Sequence, residues 1–161
     1  MTDPELTFRR ARAGDVPTVV GLLAADPLGA QRERAENPLP QSYLDAFEAI
    51  SADPNQELTV ACVGPRIVGV LQLTFIPSLT YQGSWRAQIE GVRVAEEVRS
   101  QRVGARLVEW AVDRARDRGC RLVQLTTDKR RPRALAFYQA LGFQATHEGM
   151  KLALTPGDTG S

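Results

Sequence analysis

Apolar and polar residues alternate along several short segments in the first half of the chain, whereas apolar residues in the second half recur mainly at helical spacing. Alternation is typical of half-buried strands, and apolar residues every three or four positions indicate amphipathic helices. The pattern predicts strands over residues 6–12, 58–63, 67–76, 85–94 and 122–126, and two short terminal strands over 143–146 and 150–154. It predicts helices over residues 15–25, 43–52, 103–118 and 132–141, with Asp15 and Ser42 as N-caps and a loop over residues 26–40.

The order of the predicted elements is β-α-α-β-β-β-α-β-α-β-β. Strand–helix–strand units in the second half imply parallel neighbours there, whereas the consecutive strands before them suit antiparallel pairing. The pattern therefore indicates an α/β (α+β) fold with a mixed, mostly antiparallel central sheet flanked by about four helices.

The length and composition suit one globular domain. The chain has 161 residues, of which 43% are hydrophobic and 24% charged, so collagen, coiled coil and general disorder are excluded. The sequence contains no linker, and we expect one domain over residues 1–154 followed by a flexible tail over residues 155–161.

The apolar runs and the cysteines bear on where the protein works. The longest apolar run covers residues 19–25, well short of the roughly 17–25 residues that a membrane-spanning helix needs. The N-terminus lacks the apolar block of a secretory signal. Cys62 and Cys120 stand apart without a CxxC pairing or other clustered metal ligands. We therefore expect a cytoplasmic protein without a membrane partner or a metal site.

Charge is concentrated in one part of the chain. The net charge is +1, but residues 99–133 contain ten Arg, one Lys and four acidic residues, which leaves +7 on that stretch. Such a stretch is either a solvated surface or an anion-binding site.

The segment RVAEEVRSQRVGARL, residues 93–107, follows a predicted strand and opens a predicted helix. Free backbone N–H groups and the positive end of the helix dipole meet at such a point and attract anions. Gly104 allows a ligand to approach the backbone closely, and Arg99, Ser100 and Arg102 add donors. The GxxxxGK[ST] and GxGxxG patterns are absent, so the signatures of nucleotide hydrolysis and dinucleotide binding are missing.

This segment resembles the phosphate loop (Q/R)xxGx(G/A) of the GNAT superfamily of acetyl-CoA-dependent N-acetyltransferases. Arg99 matches the first position, Gly104 the last, and Leu107 the apolar residue that follows. Arg102 stands in place of the first glycine, where it can offer its amide if its φ is negative. The other register, starting at Gln101, is less suitable because it brings a bulky arginine to the small final position.

Two further segments carry the same resemblance. AFYQALGF, residues 136–143, resembles the family's tyrosine-bearing helix with its following Gly-Phe, although Arg131 stands where the family often has asparagine. QIEGVRV, residues 88–94, resembles the strand that splays from its parallel neighbour and offers backbone groups to the pantetheine arm.

The resemblance implies the acyl-CoA N-acyltransferase fold, with a splayed parallel strand pair. It also implies direct transfer of the acetyl group from acetyl-CoA to a primary amine of a small molecule or a protein, and dimers are common in the family. The residues that it assigns to cofactor binding are Val92, Arg93, Val94, Arg99, Ser100, Arg102, Val103, Gly104 and Ala105.

Transfer to an amine needs a base, because an amine with a pKa near 10.4 is only about 0.04% unprotonated at pH 7. Glu90 precedes Val92 by two residues and is the candidate base, with His147 as the other candidate. Tyr138 matches the family tyrosine that protonates the leaving thiolate, and its alternative role is that of a core residue. We expect Cys62 and Cys120 to be packing residues.

The acceptor is not identified by the sequence. Residues 26–41 and 81–85 are expected to frame it, with apolar and aromatic side chains and nearby Glu33 and Glu36. A CoA-binding sensor without turnover remains an alternative. A nucleic-acid-binding module using residues 99–133 is disfavoured, because no recognition motif is present.

Overall fold

The computed structural model describes residues 5–155 of the chain. Its strands are β1 Leu6–Arg10, β2 Gln56–Val63, β3 Arg66–Pro77, β4 Trp85–Val94 and β5 Cys120–Gln124. Its helices are α1 Val16–Leu23, α2 Pro27–Arg32, α3 Gln41–Ala52, the single turn α4 Thr80–Gly83, α5 Val103–Asp117 and α6 Pro132–Ala140, with 3-10 turns over Ala13–Asp15 and Glu96–Gln101. The chain divides into two compact units, of which the first ends at Gln124 and the second begins at Leu125.

The first unit contains a five-stranded sheet in the order β1-β2-β3-β4-β5. The first four strands pair antiparallel, and β4 pairs with β5 in parallel. The prediction of a mixed, mostly antiparallel sheet with one parallel pair is confirmed. The parallel pair arises because α5 carries the chain back across the sheet before β5 begins.

Helices cover both faces of this sheet. Leu107 of α5 approaches Gly69 of β3, whereas Val19 of α1 packs with Val70 and Cys62. Neighbouring residues of a strand point to opposite faces, so α5 and α1 lie on opposite sides of the sheet. Cys62 is buried among these apolar side chains, which confirms its packing role.

A buried carboxylate joins α5 to the sheet. Glu57 of β2 is only 2% exposed. It accepts hydrogen bonds from Nη2 of Arg114 at 2.6 Å and Nη2 of Arg10 at 3.1 Å, and Arg118 lies 3.8 Å away. Burial raises the pKa of Glu57, but the hydrogen bonds and charges of Arg114 and Arg10 outweigh it and hold that pKa below its ordinary value.

Asp15 occupies the N-cap position of α1 as predicted, but its side chain makes no capping hydrogen bond, because its carboxylate pairs with Arg9 at 2.7 Å. Two other local predictions about the first unit are wrong. The third helix begins at Gln41 after Pro40, so Ser42 is not its N-cap. The predicted loop over residues 26–40 contains α2, which begins where the Asp26 carboxylate accepts from the Gly29 N–H at 3.0 Å.

The second unit contains α6, and no strand is present in it up to residue 155. The predicted strands over residues 143–146 and 150–154 are therefore wrong. Met150, Leu152 and Leu154 alternate as in a strand, yet their side chains are at least 85% exposed. Alternation alone does not make a strand, because a strand also needs a neighbour to complete its hydrogen bonds. The expected tail over residues 155–161 lies outside the described residues except for its first.

Candidate functional site

Strands β4 and β5 separate part of the way along the sheet. Their pairing runs from Trp85 opposite Cys120 to Gln88 opposite Gln124, where β5 ends. Strand β4 continues to Val94, still paired with β3 on its other side. Within the first unit, residues 89–94 therefore have no strand on the β5 side, and the peptide groups on that side are left outside the ladder.

Hydrogen bonds at the end of β4 show which of its peptide groups face the side where β5 has ended. The N–H of Ala95 donates to the Val68 carbonyl of β3 at 2.8 Å. Peptide groups alternate along a strand, so those of Val94 and Val92 point away from β3. The carbonyl of Val92 accepts from Nη1 of Arg93 at 2.7 Å, and the carbonyl of Val94 lies 3.5 Å from Nε of Arg99.

A bulge lies where β4 leaves β5. Glu90 pairs with Gln72 and Arg93 with Val70, so Gly91 and the residue after it oppose a single residue of β3. Gly91 has φ +62°, a conformation that favours glycine. The bulge follows Glu90 directly, and this carboxylate is exposed. A glycine within a strand pattern is the sequence signal for such a bulge.

The predicted phosphate loop forms the turn into α5. A 3-10 turn over Glu96–Gln101 leads to Arg102, and α5 begins at Val103 without a capping side chain. The first N–H groups of a helix have no partner inside it. Those of Val103, Gly104 and Ala105 therefore remain available to an anion at the positive end of the helix dipole.

Arg102 has the left-handed conformation, with φ +58°. The condition under which an arginine was expected to offer its amide at this position, a negative φ, is therefore not met. Glycine adopts this conformation without strain, which explains why a glycine suits this position of the loop. The guanidinium of Arg102 bonds to Oε1 of Glu109 at 3.3 Å, so its side chain lies along α5.

At least half of the arginines in the basic stretch over residues 99–133 form ion pairs. Carboxylates pair with the following five of its ten arginines: Arg102, Arg114, Arg116, Arg118 and Arg130. Three of the carboxylates, Glu109, Asp113 and Asp128, belong to the stretch and already enter its net charge, so only Glu57 lowers it further, from +7 to +6. Arg99 and Ser100, in the loop itself, are exposed.

The second unit carries Tyr138 on α6. Its ring makes edge contacts with Phe137 at 5.0 Å and Phe143 at 5.8 Å between centroids, and the residue is half-buried. His147 is exposed and hydrogen-bonds to the Thr146 hydroxyl at 2.6 Å.

Neither cysteine has the surroundings of a nucleophile. Burial raises the pKa of the Cys120 thiol, although the charge of Arg118 opposes this shift. A raised pKa leaves less of the reactive thiolate at neutral pH. Cys62 and Cys120 are both free thiols.

Comparison with known proteins assigns the family. A family model described as the acetyltransferase (GNAT) family matches residues 24–143. The chain belongs to the GNAT family of acetyltransferases. The resemblance that the phosphate loop and the tyrosine helix suggested is thereby confirmed.

Individual relatives cover most of this GNAT chain. The aminoalkylphosphonate N-acetyltransferase of Salmonella typhimurium is 29% identical over 89% of this chain and 88% of its own. A solved structure from Bacillus halodurans C-125, described as a transcriptional regulator, is 58% identical with TM-score 0.90 over 92% of this chain and 99% of its own. A putative acetyltransferase from Agrobacterium tumefaciens is 28% identical with TM-score 0.78, over 91% of this chain and 99% of its own.

These findings confirm the predicted class of enzyme. The GNAT protein is an acetyl-CoA-dependent N-acetyltransferase with a mixed sheet and a splayed parallel pair. No helix within residues 5–155 is both long and apolar enough to cross a membrane. Across the same residues, no group of three or more His, Cys, Asp or Glu side chains is arranged to hold a metal ion.

Proposed function

We propose that this GNAT enzyme holds acetyl-CoA along the open side of β4 and at the N-terminus of α5, and transfers the acetyl group directly to a primary amine. The observation that carries the proposal is the departure of β4 from β5 after Gln88, which leaves strand backbone open next to an uncapped helix. Backbone donors and acceptors suit the amides of a pantetheine arm, and the helix end suits its pyrophosphate.

Each part of the site has a proposed task. Arg99, Ser100, Arg102 and the N–H groups of residues 103–105 hold the phosphates. Val92 and Val94, with Arg93 between them, align the pantetheine arm, and N–H groups of this strand stabilise the oxyanion that forms on the thioester carbonyl. Acetyl-CoA supplies the activated acetyl group when it is bound.

Two side chains manage the protons. Glu90 accepts the proton of the incoming ammonium group, directly or through water, because its carboxylate is exposed beside the bulge. Tyr138 donates to the departing thiolate. His147 is the other candidate base, and its imidazole is exposed to solvent.

The relatives guide the choice of acceptor. The relative from Salmonella typhimurium is named an aminoalkylphosphonate N-acetyltransferase. We therefore propose small amines with an anionic group as the first acceptors to test. Both cysteines are free thiols, as in a reducing compartment, and we propose a cytoplasmic location.

The central test is acetyl-CoA binding by wild type and Gly104→Glu. We expect acetyl-CoA at 100 times its dissociation constant to stabilise wild type by about 2.7 kcal/mol, and this gain should fall as salt rises. In Gly104→Glu a carboxylate lies in the phosphate loop and repels the phosphates, so the stabilisation by acetyl-CoA should disappear. Thermal unfolding with and without ligand is the measurement.

A matched control for that variant is Gly21→Glu. Gly21 is an exposed helical glycine of α1 with open space where a Cβ would lie. This change adds the same charge to another helix, and it should leave the acetyl-CoA stabilisation unchanged. Equal stabilisation of wild type and Gly104→Glu would place the cofactor elsewhere.

A second test addresses the base. Glu90→Gln should lower turnover at pH 7 by about a hundredfold, the lower end of general-base contributions, because water can partly replace an exposed carboxylate. The loss should shrink as the pH approaches the acceptor's own pKa near 10.4, since more of the amine is then unprotonated. Steady-state rates from pH 6 to 10 provide the measurement.

Glu48→Gln serves as its control, because Glu48 is an exposed carboxylate of α3. It should keep the wild-type pH profile. A turnover of Glu90→Gln within threefold of wild type at pH 7 would remove Glu90 from the mechanism and leave His147 to be tested.

DNA binding is a second candidate because the relative from Bacillus halodurans C-125 is described as a transcriptional regulator. Five arginines of residues 99–133 are held in ion pairs with carboxylates, which argues against a continuous phosphate-binding surface. Retention on DNA that weakens steeply with salt would support this candidate.

A further inference from the structure

Arg86 is exceptional among the arginines of this protein. Within residues 5–155 six arginines are half-buried, and the other five all have an ion pair, a hydrogen bond or another polar interaction: Arg9, Arg93, Arg114, Arg118 and Arg131. Nε of Arg86 is buried and has no hydrogen-bond partner. Nε of Arg93 is also buried without a hydrogen-bond partner, but Arg93 donates to the Val92 carbonyl through Nη1. A buried N–H without an acceptor is costly, so the place of Arg86 in the fold needs an explanation.

Arg86 lines an open pocket at the end of the β3–β4 hairpin, which we call the hairpin pocket. Three hydroxyl side chains, Ser78, Thr80 and Ser84, share the lining, and the first two lie 2.6 Å apart. The cavity itself is about 10 Å³, room for one water-sized group, and it opens to solvent. The hairpin pocket therefore suits one small polar group at its mouth rather than an entire ligand.

The charge around the hairpin pocket is positive. The guanidinium of Arg121 lies over the ring of Tyr81, 4.2 Å from its centroid, and Tyr81 lines the pocket. No Asp or Glu occurs in residues 78–89 or 118–124, the segments that supply the pocket and its margin. Guanidinium N–H groups and hydroxyls together are donors suited to an oxyanion such as phosphonate, phosphate or carboxylate.

Arg86 lies on the same face of β4 as the proposed base. Arg86, Gln88 and Glu90 alternate along the strand, and their partners on β3 keep an unbroken register from Ile76 to Gln72. This is also the face on which α1 packs, because Val70 belongs to the same alternating set of β3. Arg86 and Glu90 are four positions apart, about 13 Å along the strand.

We propose that the hairpin pocket binds the oxyanion of the acceptor, so that the substrates of this enzyme are primary amines that also carry a phosphonate, phosphate or carboxylate group. This inference rests on the proposed function and assigns Arg86 to substrate specificity. The amine lies at Glu90 and the oxyanion at Arg86, with Gln88 between them. The separation favours acceptors whose charged group is several bonds from the nitrogen.

Matched acceptors test this assignment. Each pair comprises a straight-chain primary amine and an ω-aminoalkylphosphonate or ω-amino acid of the same carbon number. Arg86→Gln should lower kcat/KM for the anionic member by about ten- to hundredfold, the effect of losing a hydrogen bond to a charged group. The loss should lie mainly in KM, because the oxyanion takes no part in the chemical step. Turnover of the neutral amine should stay within about twofold of wild type.

Two further variants sharpen the result. Arg86→Lys should restore part of the loss, since it keeps the charge but not the fork of donors. Arg116→Gln removes an exposed arginine of α5, paired with Asp113, and should behave as wild type on both acceptors. An equal loss on neutral and anionic amines would show that Arg86 only supports the strand, and it would overturn the proposal.

Binding measurements separate this proposal from the proposed function. If no amine is acetylated, the proposed function fails, and the hairpin pocket is tested with methylphosphonate alone. The Gly104→Glu background removes competition from the phosphate loop, and the indole N–H signal of Trp85, which lines the pocket, reports binding by NMR. Methylphosphonate should shift this signal in Gly104→Glu and not in the double variant with Arg86→Gln. Equal shifts in both proteins, or none in either, would overturn the oxyanion site.

Discussion

Tyr138→Phe should lower turnover by about 10²–10⁴-fold while leaving acetyl-CoA binding almost unchanged. The substitution keeps the ring, and with it the edge contacts to Phe137 and Phe143. It removes only the hydroxyl that we propose protonates the departing thiolate. A thiol has a pKa near 8.5, so its anion is a better leaving group when a donor stands beside it.

The kinetic pattern distinguishes an acid from a packing residue. The interaction forms only as charge develops on sulfur, so kcat and kcat/KM should fall together. A thioester with a less basic leaving thiol should show a smaller loss, because its thiolate needs less help. If Tyr138 only packs, loss of the hydroxyl should change the free energy of unfolding by about 1 kcal/mol and leave turnover nearly intact.

Steady-state kinetics of wild type and Tyr138→Phe on the best acceptor provide the measurement. Thermal unfolding of both proteins checks that the fold of the variant is preserved. A kcat within threefold of wild type would return Tyr138 to a structural role on α6.

Glu57→Ala should reduce the free energy of unfolding by about 3–5 kcal/mol, because it leaves Arg114 without its carboxylate in a largely enclosed place. Glu57 is 2% exposed, and Arg114 donates to it through Nε and Nη2 at 2.6–3.1 Å. Urea unfolding at pH 7 measures the loss. Glu48→Ala, at an exposed carboxylate, should stay within about 0.5 kcal/mol of wild type.

The same pair predicts an acid-sensitive contribution. The pKa of Glu57 is lowered in the folded protein, so its stabilising contribution is present above the unfolded pKa near 4.3. It is lost as the pH falls through the lower folded value. The difference in stability between wild type and Glu57→Gln should therefore be constant from pH 6 to 8 and shrink below about pH 4. A difference that does not change with pH would show that the Glu57 charge contributes nothing.

Glu57 also illustrates a limit of sequence patterns. It lies on the same strand face as the buried Thr59 and was not distinguishable from a solvated polar position. Its partner Arg114 is 57 residues away on α5. An ion pair between elements so distant in the chain requires that the sheet and the helix first be placed against each other.

The elements with strong local signals could be predicted from the chain alone. Apolar spacing located β4, α5 and α6 to within a few residues, and the loop before α5 followed from a glycine, an arginine and the start of a helix. These features depend on neighbours within one or two turns, where backbone geometry and side-chain periodicity act directly.

Tertiary structure decided the features that depend on distant partners. The short alternating segment over residues 150–154 has no ladder in the second unit, so its pattern did not become a strand. The opening beside β4 exists because β5 ends at Gln124, and no residue of β4 signals this. Arg86 looks like any strand arginine in the sequence, and only the structure shows that its Nε is buried without a hydrogen-bond partner beside the hairpin pocket. Local periodicity determines where a strand or helix forms, whereas the use of its exposed groups depends on which elements pack beside it and where those elements stop.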